Sequence, residues 1–368
     1  MKSDWKTVRG EEFIEFNPRL TIKKGAIATK IAMDKLKPFT KKIQETEKAE
    51  FSGGAKFCNG DTIMARITPC LENGKTAYVD ILEENEIAFG STEFIVLRAK
   101  EGISDSQFVY YLAVSPFFRN IAIKSMVGSS GRQRVQQNVL NDMPLVVPPL
   151  EIQREIGAYL AGIDEKISLN ERINDNLRQQ AQAIYTTMFI DNADPTWERG
   201  HLSDLIAVKY GKDHKKLADG VYPVYGSGGI MRYVERPLYD KESVLIPRKG
   251  TLNNVMYVNQ PFWSVDTMFY TEMRLPNVAK FVYHFVKAKD LASMNAGSAV
   301  PSMTTDILNA MEVAISPAPV LEEFESLVSP MYRAMQENDT QSKKLADLRD
   351  TLLPKLMSGE IDVSDIQL

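Results

Sequence analysis

The sequence predicts an α+β protein: two pseudo-symmetric mixed α/β blocks joined by two long helices that pack as an antiparallel coiled coil. Three observations lead there. The chain is written roughly twice, since a stretch near residues 107–189 returns near 280–357 with the same order of signals. An apolar seam at alternating three- and four-residue spacing closes each copy. Short β-rich runs separated by turn residues fill the rest.

The repeat can be followed residue by residue. Gln107-Phe108-Val109-Tyr110-Tyr111-Leu112 returns as Lys280-Phe281-Val282-Tyr283-His284-Phe285, Gly128-Ser129 as Gly297-Ser298, and Val139-Leu140-Asn141 as Ile307-Leu308-Asn309. Each copy then meets prolines, Pro148-Pro149 and Pro317-Ala318-Pro319, and each half opens on a tryptophan, Trp5 or Trp197.

In chain order, residues 1–150 read as a first mixed block. Its strands include Thr62-Ile63-Met64-Ala65-Arg66-Ile67 and Phe94-Ile95-Val96-Leu97, bounded by Gly53-Gly54, Asn59-Gly60-Asp61 and Glu72-Asn73-Gly74-Lys75. A helix is expected near Ser106–Leu112. Residues 151–195 read as a helix of roughly 55 Å at 1.5 Å per residue. Its seam is Leu160, Ile163, Ile167, Asn170, Asn174, Leu177, Ala181, Ile184 and Met188. Residues 196–316 repeat the block, with strands at Val244–Ile246, Val255–Val258 and Met268–Tyr270 and a helix near Val278–Lys287. Residues 317–368 repeat the helix, at a constant offset of 168, as Val328, Met331, Met335, Asn338, Ser342, Leu345, Arg349, Leu352 and Leu356. This second helix is expected to end near Pro354, which cannot continue a helix interior without cost. The polar seam positions Asn170, Asn174, Asn338 and Ser342 fall near the middle, where they either fix the register or mark a solvated opening.

The bulk numbers exclude several classes. A chain of 368 residues with 44% apolar content builds more than one core. Its start, Met1-Lys2-Ser3-Asp4-Trp5-Lys6, lacks an apolar signal core, and the apolar run from Met143 to Leu150 is broken by prolines, so no membrane association is expected. Cys58 and Cys70, the only cysteines, fit a reducing cytoplasm and small buried roles. His201, His214 and His284 are not at metal-ligand spacing, so neither a metal nor a hydrolytic triad is expected. The net charge is −4, but it is unevenly placed. Basic residues outnumber acidic ones 21 to 18 in residues 1–150 and 14 to 12 in 196–316, whereas acidic residues lead 8 to 4 in 151–195 and 10 to 5 in 317–368. That distribution turns the blocks toward a polyanion and the helices toward protein, although imbalances this small also suit an ordinary solvated surface.

The motifs carry a family resemblance. Met143-Pro144-Leu145-Val146-Val147-Pro148-Pro149-Leu150-Glu151-Ile152-Gln153-Arg154-Glu155-Ile156 resembles the start of the central region of type I restriction-modification specificity subunits. Leu348-Arg349-Asp350-Thr351-Leu352-Leu353-Pro354-Lys355-Leu356-Met357-Ser358-Gly359-Glu360-Ile361 resembles their distal region. Between them, Tyr222-Pro223-Val224-Tyr225-Gly226-Ser227-Gly228-Gly229-Ile230, Leu245-Ile246-Pro247-Arg248-Lys249-Gly250 and Phe262-Trp263-Ser264-Val265-Asp266-Thr267 resemble a common type of target recognition domain. The chain departs from the pattern at Ile152-Gln153, where Glu-Gln is usual, and at Pro317-Ala318-Pro319. The resemblance implies a non-catalytic DNA sequence-specificity subunit with two recognition domains, one at each end of the helices. Each domain would read one half of a split double-stranded DNA target. DNA methyltransferase subunits, which would bind S-adenosylmethionine, and restriction/translocase subunits would supply the chemistry, so no cofactor is expected on this chain.

The residues give an enzyme reading little support. Gly226-Ser227-Gly228-Gly229 lacks a following amphipathic helix and reads as a hairpin turn. Val147-Pro148-Pro149-Leu150 lacks the Asn and aromatic residue of the Asn-Pro-Pro-Tyr element of amino-methyltransferases, and Asp240-Lys241-Glu242 with Arg248-Lys249 is the nearest approach to a nuclease centre.

DNA-reading candidates lie in loops. Gly128, Ser129, Ser130, Gly131, Arg132, Gln133, Arg134 and Gln136 combine side chains suited to guanine and adenine edges with residues that allow close phosphate approach. Their counterpart around Gly297, Ser298 and Ser302 is less charged, so the halves should read different sequences. Arg66 and Thr68, and Arg248 and Lys249, follow equivalent strands, and Tyr225 and Ser227 share a loop. Each is a plausible DNA contact or a structural residue. The competing readings are a coiled-coil scaffold with two protein-binding blocks, which salt-dependent DNA binding would exclude, and an enzyme fragment, which cofactor binding by the isolated chain would reveal.

Overall fold

The computed structural model describes residues 4–129, 131–294 and 302–366. It divides into two compact units: residues 1–171 with 339–368, and residues 172–338. Each unit takes one block and a portion of each long helix, and the same plan is built twice.

In the first unit, strand Lys6–Arg9 pairs antiparallel with Pro144–Val147, so the chain enters and leaves the block through neighbouring strands. The turn Gly10–Phe13 follows, its start capped by Glu12, which accepts from the backbone N–H of Arg9 at 2.8 Å. The second unit repeats this: Glu198–His201 pairs with Glu312–Ile315, and Asp204 caps the turn Leu202–Leu205 through the His201 N–H at 2.7 Å. A buried sheet comes next in both. Its order is Ile14–Phe16, Phe94–Ala99, Thr62–Ala65, Thr76–Tyr78 in the first unit, and Ile206–Tyr210, Met268–Met273, Ser243–Pro247, Met256–Val258 in the second. These inner strands are buried on both faces and mostly apolar, as strands covered on both sides tend to be.

A second sheet differs between the units in its connections. Ile27–Ile31 pairs antiparallel with Glu47–Glu50 and parallel with Ala88–Gly90, and residues 32–46 join the antiparallel pair. In the second unit Asp219–Gly226 pairs antiparallel with Gly229–Val234 and parallel with Trp263–Ser264, and only Ser227-Gly228 joins the hairpin. The expected turn at Gly226–Gly229 is this hairpin tip.

Helix Ser106–Val114 packs on the first inner sheet and Ala279–Lys287 on the second. The long helix Leu150–Thr186 continues into a π-helical turn, Thr187–Asp191. The other runs from Ala318 to Ser358. Their pairing is antiparallel in each unit. In the first, Asp164 meets Arg349 and Asn170 meets Gln341 and Ser342. In the second, Asn174 meets Met335 and Asn338, and Tyr185 meets Phe324.

The expected end of the second helix at Pro354 is corrected by the structure, because the helix passes through both Pro330 and Pro354. A proline in a helix interior costs about 3 kcal/mol. Leu352, Leu353, Leu356 and Met357 around Pro354 are all buried, and each such side chain contributes roughly 1.5–3 kcal/mol. Burial outweighs the proline.

The polar seam positions are bonded to one another, Asn338 and Ser342 half-buried and the other two enclosed. Asn170 and Asn174 are 1% and 2% exposed, and Asn338 Nδ2 donates to Asn174 Oδ1 at 2.8 Å.

Candidate nucleic-acid interface

In the first unit the strand Thr62–Ala65 ends at Arg66, and the chain from Val127 to Val135 comes back against it. Val135 N donates to Arg66 O at 2.8 Å, Thr68 N to Gln133 O at 3.0 Å, and Gln133 N to Thr68 Oγ1 at 3.0 Å. Ile67 and Arg134 face each other in an antiparallel bridge, as do Val127 and Arg134. The loop turns at Gly128, whose φ of +142° and contact with Arg132 O, 2.8 Å from where a Cβ would stand, require glycine. Arg132 N closes the turn on Ser129 O at 3.0 Å.

Within this frame the candidate side chains divide. Arg134 is locked to Glu93 by Nε at 2.9 and 3.1 Å and by Nη2 at 2.6 Å. That hydrogen bond holds the Glu93 carboxyl below the usual carboxylate range. Arg66 is half-buried and its Nη2 donates to Val135 O at 3.4 Å. Gln136 turns its amide onto Arg134 O at 3.1 Å. Gly131, Arg132 and Ser129 are exposed, while Ser130 lies outside the described residues.

The second unit builds the same frame from other residues. Met303 N donates to Arg248 O at 2.9 Å, and Lys249 and Ser302 form the antiparallel bridge. Arg248 therefore stands where Arg66 does, Lys249 where Ile67 does, and Ser302 where Arg134 does. Arg66 N donates to Glu93 O and Arg248 N to Thr267 O, so Thr267 takes the place of Glu93. The Arg248 guanidinium lies 5.3 Å from the centre of the half-exposed Tyr210 ring, and Nη1 donates to Asp266 O at 3.3 Å. The hairpin tip joins this cluster. Asn254 Nδ2 donates to Ser227 O at 2.8 Å, and Ser227 Oγ lies 2.7 Å from where a Cβ on Gly250 would stand. Tyr225 turns its ring toward Phe262, with centroids 6.2 Å apart, and its hydroxyl accepts from Gln260 at 3.3 Å. Gly297 and Ser298 lie outside the described residues.

Thus Arg66, Thr68 and residues 128–136 come together in one unit, and Ser227, Arg248, Lys249 and Ser302 in the other. Glu93 and Tyr210 belong to these clusters and were not singled out from the sequence. Glu93 could have been found by extending the repeat to the residues ahead of the strands Phe94–Ala99 and Met268–Met273.

Each block is fastened to helix residues of its own unit by buried polar contacts. Tyr111 OH donates to Asp164 Oδ2 at 2.5 Å, and Arg349 Nη1 donates to Asp164 Oδ1 at 2.5 Å. In the second unit the repeat partner of Tyr111 is His284. Its Nδ1 faces the acceptor Gln182 Oε1 at 2.8 Å, which makes Nδ1 the protonated nitrogen and leaves Nε2 to accept from Tyr332 OH at 2.9 Å. Burial pulls His284 down to about 4.

Cys58 and Cys70 are free and half-buried, and burial pushes the Cys58 thiol up. Among the described residues no group of three or more His, Cys, Asp or Glu could hold a metal ion, and no helix is long and apolar enough to cross a membrane.

A block is thus built twice, each copy carrying a loop cluster and its own portion of the two long helices. The chain belongs to the type I restriction-modification specificity family: the profile described as "Type I restriction modification DNA specificity domain" matches residues 2–179 and 195–337. Among curated relatives, the type I restriction enzyme MjaIX specificity subunit of Methanocaldococcus jannaschii is 23% identical over 73% of this chain and 71% of its own. The HindI specificity subunit of Haemophilus influenzae is 20% identical over 82% and 86%. The crystal structure of the type I system S subunit from M. genitalium superimposes with a TM-score of 0.59 at 16% identity, covering 96% of each chain, and is similar in fold.

Proposed function

We propose that this chain is the sequence-reading subunit of a type I restriction-modification complex, and that each unit reads one half of a bipartite double-stranded DNA target. The observation that carries this is the duplicated frame, in which Arg66-Ile67 with Arg134-Val135, and Arg248-Lys249 with Ser302-Met303, bring basic and polar side chains to equivalent places. Arginine suits guanine, amides suit adenine, and lysine suits phosphate. Because the equivalent positions differ in chemistry, the two halves of the target differ in sequence.

In this reading the helices and the adjoining block surfaces recruit methyltransferase subunits, which carry S-adenosylmethionine, and restriction subunits join that complex in the cytoplasm. The chain itself contributes recognition and no chemical step.

The experiment is to co-express the chain with the methyltransferase subunit of its host and map modified bases by single-molecule sequencing. A split motif with a fixed unread gap is expected. A continuous motif, or a stable complex that modifies nothing and shows no salt-dependent DNA binding, would overturn the proposal in favour of a protein scaffold.

A further inference from the structure

We propose that Arg134 reads a guanine, with Glu93 as its positioning residue, and that its neighbour Arg132 contacts phosphate instead; this rests on the DNA-reading role proposed above. Composition alone makes the two arginines equivalent. Their surroundings separate them.

A guanidinium carries five N–H donors on a rigid plane. Glu93 takes Arg134 from the side, through Nε and the facing hydrogen of Nη2. What remains is the end-on edge, formed by Nη1 and the second hydrogen of Nη2. That edge spans two parallel acceptors, which is what guanine O6 and N7 offer in the major groove. Arg134 keeps 45% of its side chain exposed against 24% for Glu93, so the pair presents its arginine rather than its carboxylate to solvent.

The backbone is held as firmly. Arg134 N and O both bond Val127, at 2.9 and 3.1 Å, and its neighbour Val135 bonds Arg66. Glu93 is fixed in turn, its N–H donating to Ser91 Oγ at 3.1 Å and its carbonyl accepting from Arg66 N at 2.9 Å. A side chain already ordered loses little rotamer freedom on binding. Charge points the same way. A phosphate gains little from an arginine whose charge a carboxylate already neutralises, and a carboxylate beside the backbone would be repelled, whereas base reading depends on the direction of the donors. Arg132 has the opposite character: it is exposed, and no side-chain hydrogen bond or ion pair holds it among the described residues. An exposed charge at a loop, held by no side-chain partner, suits phosphate.

The second unit has Ser302 and Thr267 at the equivalent places, so the Arg134–Glu93 pair acts on one half-site alone.

The test uses the chain in complex with its methyltransferase subunit, with modified sites mapped by sequencing and binding measured on the mapped duplex. Arg134→Lys keeps the charge but loses the fork. It should abolish the requirement for one guanine in one half-site, with discrimination there falling roughly ten- to hundredfold and other positions unchanged. Replacing that guanine by 7-deazaguanine should weaken wild-type binding and cost the variant nothing further. Glu93→Gln should relax the same position. Arg132→Ala should weaken binding on all sequences alike and lower the salt slope by about one. Retention of every base requirement by Arg134→Lys, relaxation of a different position by Glu93→Gln, or a split motif made only of A·T pairs would overturn the assignment. A wild-type complex without a split motif would overturn the DNA-reading role itself, a result that involves neither arginine.

Discussion

His284 is a buried base that has traded its charge for two hydrogen bonds. Its value in the fold, about 4, lies below the 6.5 of a free histidine. Above 6.5 it is neutral in both folded and unfolded chains, and its contribution is fully present. As pH falls from 6.5 to 4, the unfolded chain takes up a proton that the folded chain refuses, and stability declines by up to roughly 3 kcal/mol. Denaturant melts at pH 7 and 4.5 should show this loss, and His284→Gln should flatten it; an unchanged slope in that variant would place the proton elsewhere. Its repeat partner Tyr111 solves the same packing problem with a charged triad, Tyr111–Asp164–Arg349, in which Asp164 and Arg349 are only 11% and 16% exposed. Removing one member of such a pair strands the other. Arg349→Ala should therefore destabilise the first unit by roughly 3 kcal/mol, measurable by thermal melting, while Arg349→Met together with Asp164→Leu should cost far less.

The two helices show what a sequence period can and cannot say. Spacing of three and four identified the seam, and Leu160, Ile163, Ala181, Val328, Met335, Leu352 and Leu356 are all buried. The second end was misjudged by a local rule about proline, which was outvoted by the apolar residues packed around it. Pro354→Ala restores an N–H within reach of the Asp350 carbonyl and should raise the melting temperature; a lower value would mean that the ring itself packs. The buried Asn170 and Asn174 and the half-buried Asn338 and Ser342 cost stability compared with leucine, and their reading as a register device makes a second expectation. Replacing all four by leucine should raise stability yet broaden the assembly state seen by light scattering, and a single unchanged species would remove that role. The loop clusters were legible in part. Glycine, serine and arginine near residues 128–134 marked a polar turn, but the bond between Arg134 and Glu93 joins residues far apart in sequence, and no spacing rule reaches it. The bridge between Lys249 and Ser302 depends likewise on a chain return that only the fold supplies.

At the level of the whole molecule, charge and division into units govern behaviour. With a net charge of −4 and only a slight basic excess in each block, the isolated chain should hold DNA weakly at physiological salt and more tightly as salt is lowered. Addition of the methyltransferase subunit should steepen that dependence, which titration at several salt concentrations would measure. The paired strands at the base of each block have a consequence of another kind. Lys6–Arg9 lies beside Pro144–Val147, and Glu198–His201 beside Glu312–Ile315. A recombination event that cuts at one such pair of neighbouring strands lifts out a whole block, leaves two short strands of backbone pairing to receive another, and disturbs neither long helix. If each block reads one half of the target, as proposed above, specificity would then change by exchange of cassettes, one half at a time, without the slow accumulation of compensating substitutions that a block threaded more deeply into its support would need.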